Sequence, residues 1–237
     1  MSASGRVSAV LFDLDDTLYP ERQFVDGGFR AVGDFLAPRS GRTSPELSAR
    51  LWDLHVRDGR GHLFDTLVSE LGLPDLPELV AACLLVYRTH PVRLTAFDGV
   101  GDLLGWLRAA DVRTGIVSDG NAAVQARKVA GLESLAGAMD VVVLTDELGV
   151  GRAKPSPVAF RVACLMLDVE PSATIYVGND PRKDFAGARE AGLRTIRAGR
   201  LPDEGGAPAT APVGSSEADV VVDSIQGLSS ELAELIE

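Results

Sequence analysis

Residues 10–20 read VLFDLDDTLYP. Three apolar residues lead into Asp13, and Asp15 and Asp16 follow at once. Carboxylates this close repel one another unless positive charge sits among them. The apolar run VSAVLF (7–12) ahead of them reads as a strand covered on both faces. A strand that ends in clustered acid requires the rest of the chain to bring a cation or a basic side chain to its carboxyl end.

Working outward, VRTGIV (112–117), VVVL (141–144) and ATIYV (173–177) are further near-continuous apolar runs, with LRTI (193–196) and ADVVV (218–222) as shorter ones. Helical patterns stand between them at 99–110, 122–131, 156–167 and 181–192, and again at 224–237. Pro157 and Pro181 fall in expected first turns, where a missing N–H costs little. Gly131 and Gly192 are expected to close helices. Alternating strands and helices predict an α/β fold, a Rossmann-like parallel sheet with right-handed crossovers.

Residues 20–95 break this rhythm. They hold helical patterns and no convincing strand: TSPELSARLWDLHV with Ser44 as N-cap and Pro45 first in the helix, HLFDTLVSELGL ending at Gly72, and PELVAACLLVYRTH from Pro77. The expected division is a core of 1–19 and 96–237 with a small all-helical domain at 20–95, and hinges near 19–24 and 91–97. Residues 202–216, rich in Pro, Gly, Ala and Ser, read as a loop before the last strand.

With 46% hydrophobic residues the chain can bury a sizeable core. Its net charge of −11 argues against nucleic acid or an anionic membrane face as partner, though not against a small phosphorylated ligand. Cys83 and Cys164 lie in apolar helical patterns without metal or redox spacing, and no stretch approaches a membrane span. The expectation is a cytoplasmic protein. Three histidines without His-x-x-x-His spacing make a zinc site improbable.

Ligands of open parallel sheets gather beyond the carboxyl ends of the strands. Behind the first strand stand Asp13, Asp15, Asp16 and Thr17; behind the second, Ser118, Asp119, Gly120 and Asn121. Behind the third a loop reaches Lys154, and behind the fourth come Asn179, Asp180 and Asp184. Oxygen ligands of this kind suit Mg²⁺. A lysine and a hydroxyl near a helix N-terminus suit a phosphoryl group. Only three of the 23 basic residues are lysines, which draws the eye to Lys154; Lys183 reads as solvent-facing on its helix.

At these residues the chain resembles the haloacid dehalogenase-like (HAD) hydrolase superfamily. DLDDT (13–17), IVSDGN with Ser118, KPSP with Lys154 and VGNDPRKD (177–184) match its four motifs in order. The resemblance implies a Mg²⁺-dependent phosphatase of a small phosphorylated metabolite, of the nucleotide or sugar phosphate type, with the helical insert as its cap. Asp13 would be the nucleophile that forms an aspartyl-phosphate. Asp15 would protonate the leaving oxygen and then activate water. Ser118 and Lys154, with the backbone N–H groups of Asp119 and Gly120, would bind the phosphoryl group. Asp13, the carbonyl of Asp15 and an acidic-loop residue would hold the metal, Thr17 would support the first loop, and Asp184 would orient the ligand or Lys154.

One departure stands out. Asn179 occupies the position where the family places Asp, so either its amide oxygen ligates or Asp180 does, with Asp180 preferred. Asp15 disfavours a 2-haloacid dehalogenase, which has no use for a second aspartate, and the absence of lysine from 20–95 disfavours Schiff-base chemistry. A phosphomutase, a phospho-accepting signalling module and a silent binding subunit are the alternatives. Arg57, Arg60 and His62 are read as solvated loop residues.

Overall fold

In the computed structural model, which describes residues 6–74, 76–198 and 217–236, six strands form one parallel sheet. They are β1 (Ala9–Phe12), β2 (Arg113–Ser118), β3 (Val141–Leu144), β4 (Thr174–Gly178), β5 (Arg194–Ala198) and β6 (Val220–Val222). Their order is β3-β2-β1-β4-β5-β6, so β1 is central, with Phe12 level with Ile116 on one side and Val177 on the other. All of β1 and β4 is buried, as strands covered on both faces must be. The ladder runs one residue past β1, where the N–H of Asp13 donates to the carbonyl of Val177 at 2.8 Å. That bond carries the first carboxylate to the sheet edge in a fixed orientation.

The chain divides into two compact units, Met1–Pro20 with Leu94–Glu237, and Glu21–Arg93. The first holds the sheet and helices α5 (Val100–Ala109), α6 (Ala122–Ala130), α7 (Val158–Leu167), α8 (Phe185–Glu190) and α9 (Ile225–Ile236). Leu11, Val117, Val143, Phe160, Cys164, Tyr176 and Phe185 pack into one of its apolar clusters. Each fully buried large side chain contributes about 1.5–3 kcal/mol relative to exposure.

The second unit is helical: α1 (Arg22–Ser40), α2 (Ser44–Asp58), α3 (Leu63–Glu70) and α4 (Leu76–Thr89). Its core joins Phe29, Val32, Leu36, Leu51, Leu54, Leu67, Val68 and Cys83. The helix Arg22–Ser40 adds to the three helical patterns named from the sequence; Gly27 and Gly28 weaken its local helical signal. Those glycines serve packing: a Cβ on Gly28 would lie 2.4 Å from the ring of Tyr87, and one on Gly27 2.8 Å from that of His90.

Several boundaries differ from expectation. Thr43, not Ser44, caps α2, in a capping box with Glu46 that satisfies two N–H groups reciprocally. Gly131 ends α6 in right-handed geometry, whereas Gly192 is left-handed as expected. Residues 181–184 form a turn rather than the start of α8, so Pro181 opens no helix and Lys183, half-buried, is not on one. The expected loop at 202–216 lies outside the described residues. Both cysteines are buried free thiols. Among the described residues, no helix is long and apolar enough to cross a membrane.

Candidate active site

The turn after β1 presents Asp13 and Asp15 in different surroundings. Asp13 is buried, and its Oδ1 accepts from Lys154 Nζ at 2.6 Å. Its Oδ2 is buried with no partner among the described residues. Burial raises the proton affinity of Asp13 more than Lys154 lowers it, pushing the pKa up to about 6. Asp16 takes a left-handed conformation at the turn, and its N–H donates to the carbonyl of Tyr19 at 3.0 Å. The hydroxyl of Thr17 is buried without a partner among the described residues.

Lys154 arrives from the loop between β3 and α7. Its ammonium, fully buried, also donates to Asp184 Oδ1 at 2.8 Å and Tyr176 Oη at 2.9 Å. Burial alone would lower its pKa, but Asp13 and Asp184 outweigh it and hold the ammonium charged. Two close approaches make this possible. A Cβ on Gly187 would lie 1.9 Å from the carbonyl oxygen of Pro155, so only glycine lets α8 meet the KPSP loop. A Cβ on Gly178 would lie 2.6 Å from Asp184 Oδ2, so only glycine lets Asp184 fold back over the end of β4. From there Asp184 Oδ2 accepts from the N–H groups of Asn179 at 3.1 Å and Asp180 at 2.8 Å. Asp184 thus ties the acidic loop to Lys154.

At the end of β2, Ser118 is buried and Gly120 has a φ of 113°, a conformation that favours glycine. The Asp119 carboxylate accepts from the Thr145 hydroxyl at 2.7 Å and the Lys154 N–H at 3.0 Å, binding this loop to the lysine loop. Asn121 caps α6, its side chain accepting from the N–H of Val124.

Asn179 and Asp180 differ sharply. The amide oxygen of Asn179 is buried and has no partner among the described residues. Asp180 is occupied by Arg182, whose Nε and Nη2 donate at 2.9 and 2.8 Å, and that pairing holds its carboxyl below the usual range. The orphaned side-chain oxygens of Asp13 and Asn179 are hard donors, each standing just past the end of one of the paired strands β1 and β4. Among the described residues no three His, Cys, Asp or Glu side chains form a metal cage. This sparse set nonetheless fits Mg²⁺, which keeps several waters and needs only one or two carboxylates beside a phosphate.

Three participants were not foreseen: Tyr176, Gln125 and Lys128. Tyr176 reads as core in the run ATIYV, yet its hydroxyl donates to Asp184 at 3.1 Å. Lys128, in the last turn of α6, is buried and donates to both oxygens of Asp15 at 2.8 and 2.9 Å. Gln125, one turn earlier, donates to Asp15 Oδ2 at 2.9 Å and to Ser118 Oγ at 2.7 Å. Burial raises the pKa of Asp15, but Lys128, with hydrogen bonds from Tyr19 and Gln125, outweighs it and holds the carboxyl below its usual range. The scarcity of lysine was the available signal for Lys128, as it was for Lys154. In the helical unit, Arg57 pairs with Asp58 and Arg60 with Glu21.

Residues 7–192 match the haloacid dehalogenase-like hydrolase family. The chain belongs to that family. Among proteins similar to this HAD-like hydrolase, a glyceraldehyde 3-phosphate phosphatase from Methanopyrus kandleri is 33% identical over 197 residues, covering 81% of this chain and 83% of that one. An (S)-2-haloacid dehalogenase from a Pseudomonas species is 31% identical over 137 residues, 58% of this chain and 57% of that one. The crystal structure of a HAD phosphatase from Thermococcus onnurineus superposes with a TM-score of 0.62 at 24% identity, covering 95% of this chain and 98% of that one, and shows the shared fold.

Proposed function

We propose that this HAD-like hydrolase is a Mg²⁺-dependent phosphatase of a small phosphorylated metabolite, working in the cytoplasm through an aspartyl-phosphate. Family and relatives make it an enzyme of the phosphatase type, acting on phosphoric monoester bonds. The observation that carries the finer reading is the buried Lys154 between Asp13 and Asp184, with Asp13 Oδ2 left without a partner.

In this reading Asp13 attacks phosphorus, the bond from phosphorus to the ester oxygen breaks, and Asp15 delivers a proton to that oxygen. Lys128 keeps Asp15 ionised in the free protein; the proton it delivers enters from solvent as the phosphoryl dianion binds and raises its proton affinity by like-charge repulsion. Asp15 next takes a proton from water, whose oxygen attacks the aspartyl-phosphate and releases inorganic phosphate and Asp13. Lys154, Ser118 and the N–H groups of Asp119 and Gly120 bind the phosphoryl oxygens. When bound, Mg²⁺ supplies positive charge that stabilises the crowded anion. The unit Glu21–Arg93 is the cap that selects substrate, supported by its place as an insert after the first motif. A triose or other sugar phosphate is the favoured substrate class, on the strength of the Methanopyrus relative.

The test is a screen of p-nitrophenyl phosphate, sugar phosphates and nucleotides with Mg²⁺. Multiple turnover that EDTA stops and Mg²⁺ restores is the expected result. One stable phosphoryl group per chain would instead indicate a signalling module, retained phosphate on a sugar a mutase, and halide release from a 2-haloacid a dehalogenase.

For the metal, Asn179 is favoured over Asp180, the reverse of the preference drawn from sequence, because only its oxygen is buried without a partner. Asn179→Ala should weaken Mg²⁺ binding at least about tenfold, or about 1.4 kcal/mol. Asp180→Ala should change it less than about threefold, on the order of 0.7 kcal/mol. Calorimetric titration of the substrate-free protein decides the order, and the opposite ranking assigns the role to Asp180.

A further inference from the structure

We propose that Lys128 and Gln125 are positioning residues for Asp15, a bracket on α6 that aims its carboxylate at the leaving oxygen. The proposal rests on the phosphatase reading, in which Asp15 handles that oxygen's proton.

The geometry is specific. Lys128 Nζ reaches both oxygens of Asp15, and Gln125 Nε2 reaches Oδ2. The Tyr19 hydroxyl donates to Oδ1 from the other side of the turn. A carboxylate held by three donors has little rotational freedom about its side-chain torsions. The same Gln125 amide nitrogen donates to Ser118 Oγ. Residues 125 and 128 are three apart and share a helix face. One helix face therefore sets the spacing between the proton-handling carboxylate and a hydroxyl of the phosphoryl site.

Burying an ammonium is costly, and a buried ion pair is weak evidence of stabilisation, since an apolar pair of similar volume is often as stable. Both side chains are nonetheless almost fully enclosed, Gln125 at 2% and Lys128 at 4% relative exposure. The buried ammonium and the buried amide both donate to the carboxylate of Asp15.

The experiment compares kcat/KM for an alkyl phosphate, whose leaving oxygen needs a proton, with that for 2,4-dinitrophenyl phosphate, whose leaving oxygen does not. Positioned acid–base groups contribute typically 10²–10⁴-fold, so Lys128→Met should lose about a hundredfold on the alkyl ester. On the dinitrophenyl ester it should lose less than about tenfold, because that departure needs little acid. Lys128→Arg should recover part of the alkyl-ester loss. In an Asp15→Asn background, Lys128→Met should cost nothing further, the non-additivity expected of groups acting as one unit. If Lys128→Met does not fold, Gln125→Met, which leaves the ion pair intact, should show the same leaving-group asymmetry at smaller size.

Equal losses on both esters, or a full additional loss in the Asp15→Asn background, would overturn the positioning role while leaving the phosphatase reading standing. Failure of the unmodified enzyme to turn over either ester with Mg²⁺ would bring down both.

Discussion

Asp13→Asn is expected to lower kcat for phosphomonoester hydrolysis by at least about 10⁴-fold, the scale on which loss of a catalytic nucleophile is felt. Far-UV circular dichroism and the melting temperature should stay close to those of the unsubstituted protein. Asparagine keeps the shape of the side chain and the backbone bond to Val177 that anchors the turn. Lys154 keeps Asp184 and Tyr176 as partners, so its ammonium is not left unpaired. The variant also removes a buried carboxyl whose charged form burial already disfavours. The lost activity therefore belongs to chemistry and not to folding. Hydroxylamine should trap an acyl-phosphate adduct in the unsubstituted enzyme and none in the variant. A folded Asp13→Asn protein with ordinary turnover would refute the nucleophile.

Lys154→Met should cost both activity and stability. Without the ammonium, Asp13 and Asp184 remain buried with no cation bonded between them. Removing one partner of a buried pair typically costs about 3–5 kcal/mol. For a chain of this size that is on the order of 10 °C in melting temperature. On the proposed reading, losing the positive charge beside Asp13 should also lower kcat by roughly 10²–10³-fold.

The stability loss should depend on pH. In the metal-free protein Asp13 already rises from 3.8 to about 6, so its contribution is complete below about pH 4 and fades as pH passes about 6. Taking away Lys154 raises its proton affinity further, so the variant's deficit should be small near pH 5 and larger at pH 8. Urea titrations at the two pH values check this. An identical deficit at both would mean that the lysine does not neutralise buried carboxylates.

Two lysines differ in how far neighbouring residues disclose their surroundings. Lys154 stands out in the sequence because it lies in a motif-bearing loop at a strand end. Lys128 lies in AAVQARKVAG, where a lysine on a helix reads as an exposed polar-face residue. Asn179 and Asp180 show the same boundary. Their position in the acidic loop was legible, but the burial of one oxygen and the capture of the other by Arg182 was not. Helix Arg22–Ser40 is faint in the sequence because Gly27 and Gly28 look unfavourable until Tyr87 and His90 are packed against them.

Apolar runs, helix patterns, the parallel sheet and the carboxyl-end loops are written in neighbouring residues, because strand burial and helix periodicity act over a few positions. They were enough to put Asp13, Ser118, Lys154 and Asp184 on one sheet edge. Which partner each side chain takes depends on contacts across great chain distances. Lys128 meets Asp15 across 113 positions and Lys154 meets Asp13 across 141. Hydrogen bonds need donor and acceptor about 3 Å apart, and Coulombic energy depends on distance in space and on burial; both are blind to separation along the chain. Only the folded chain could therefore decide them.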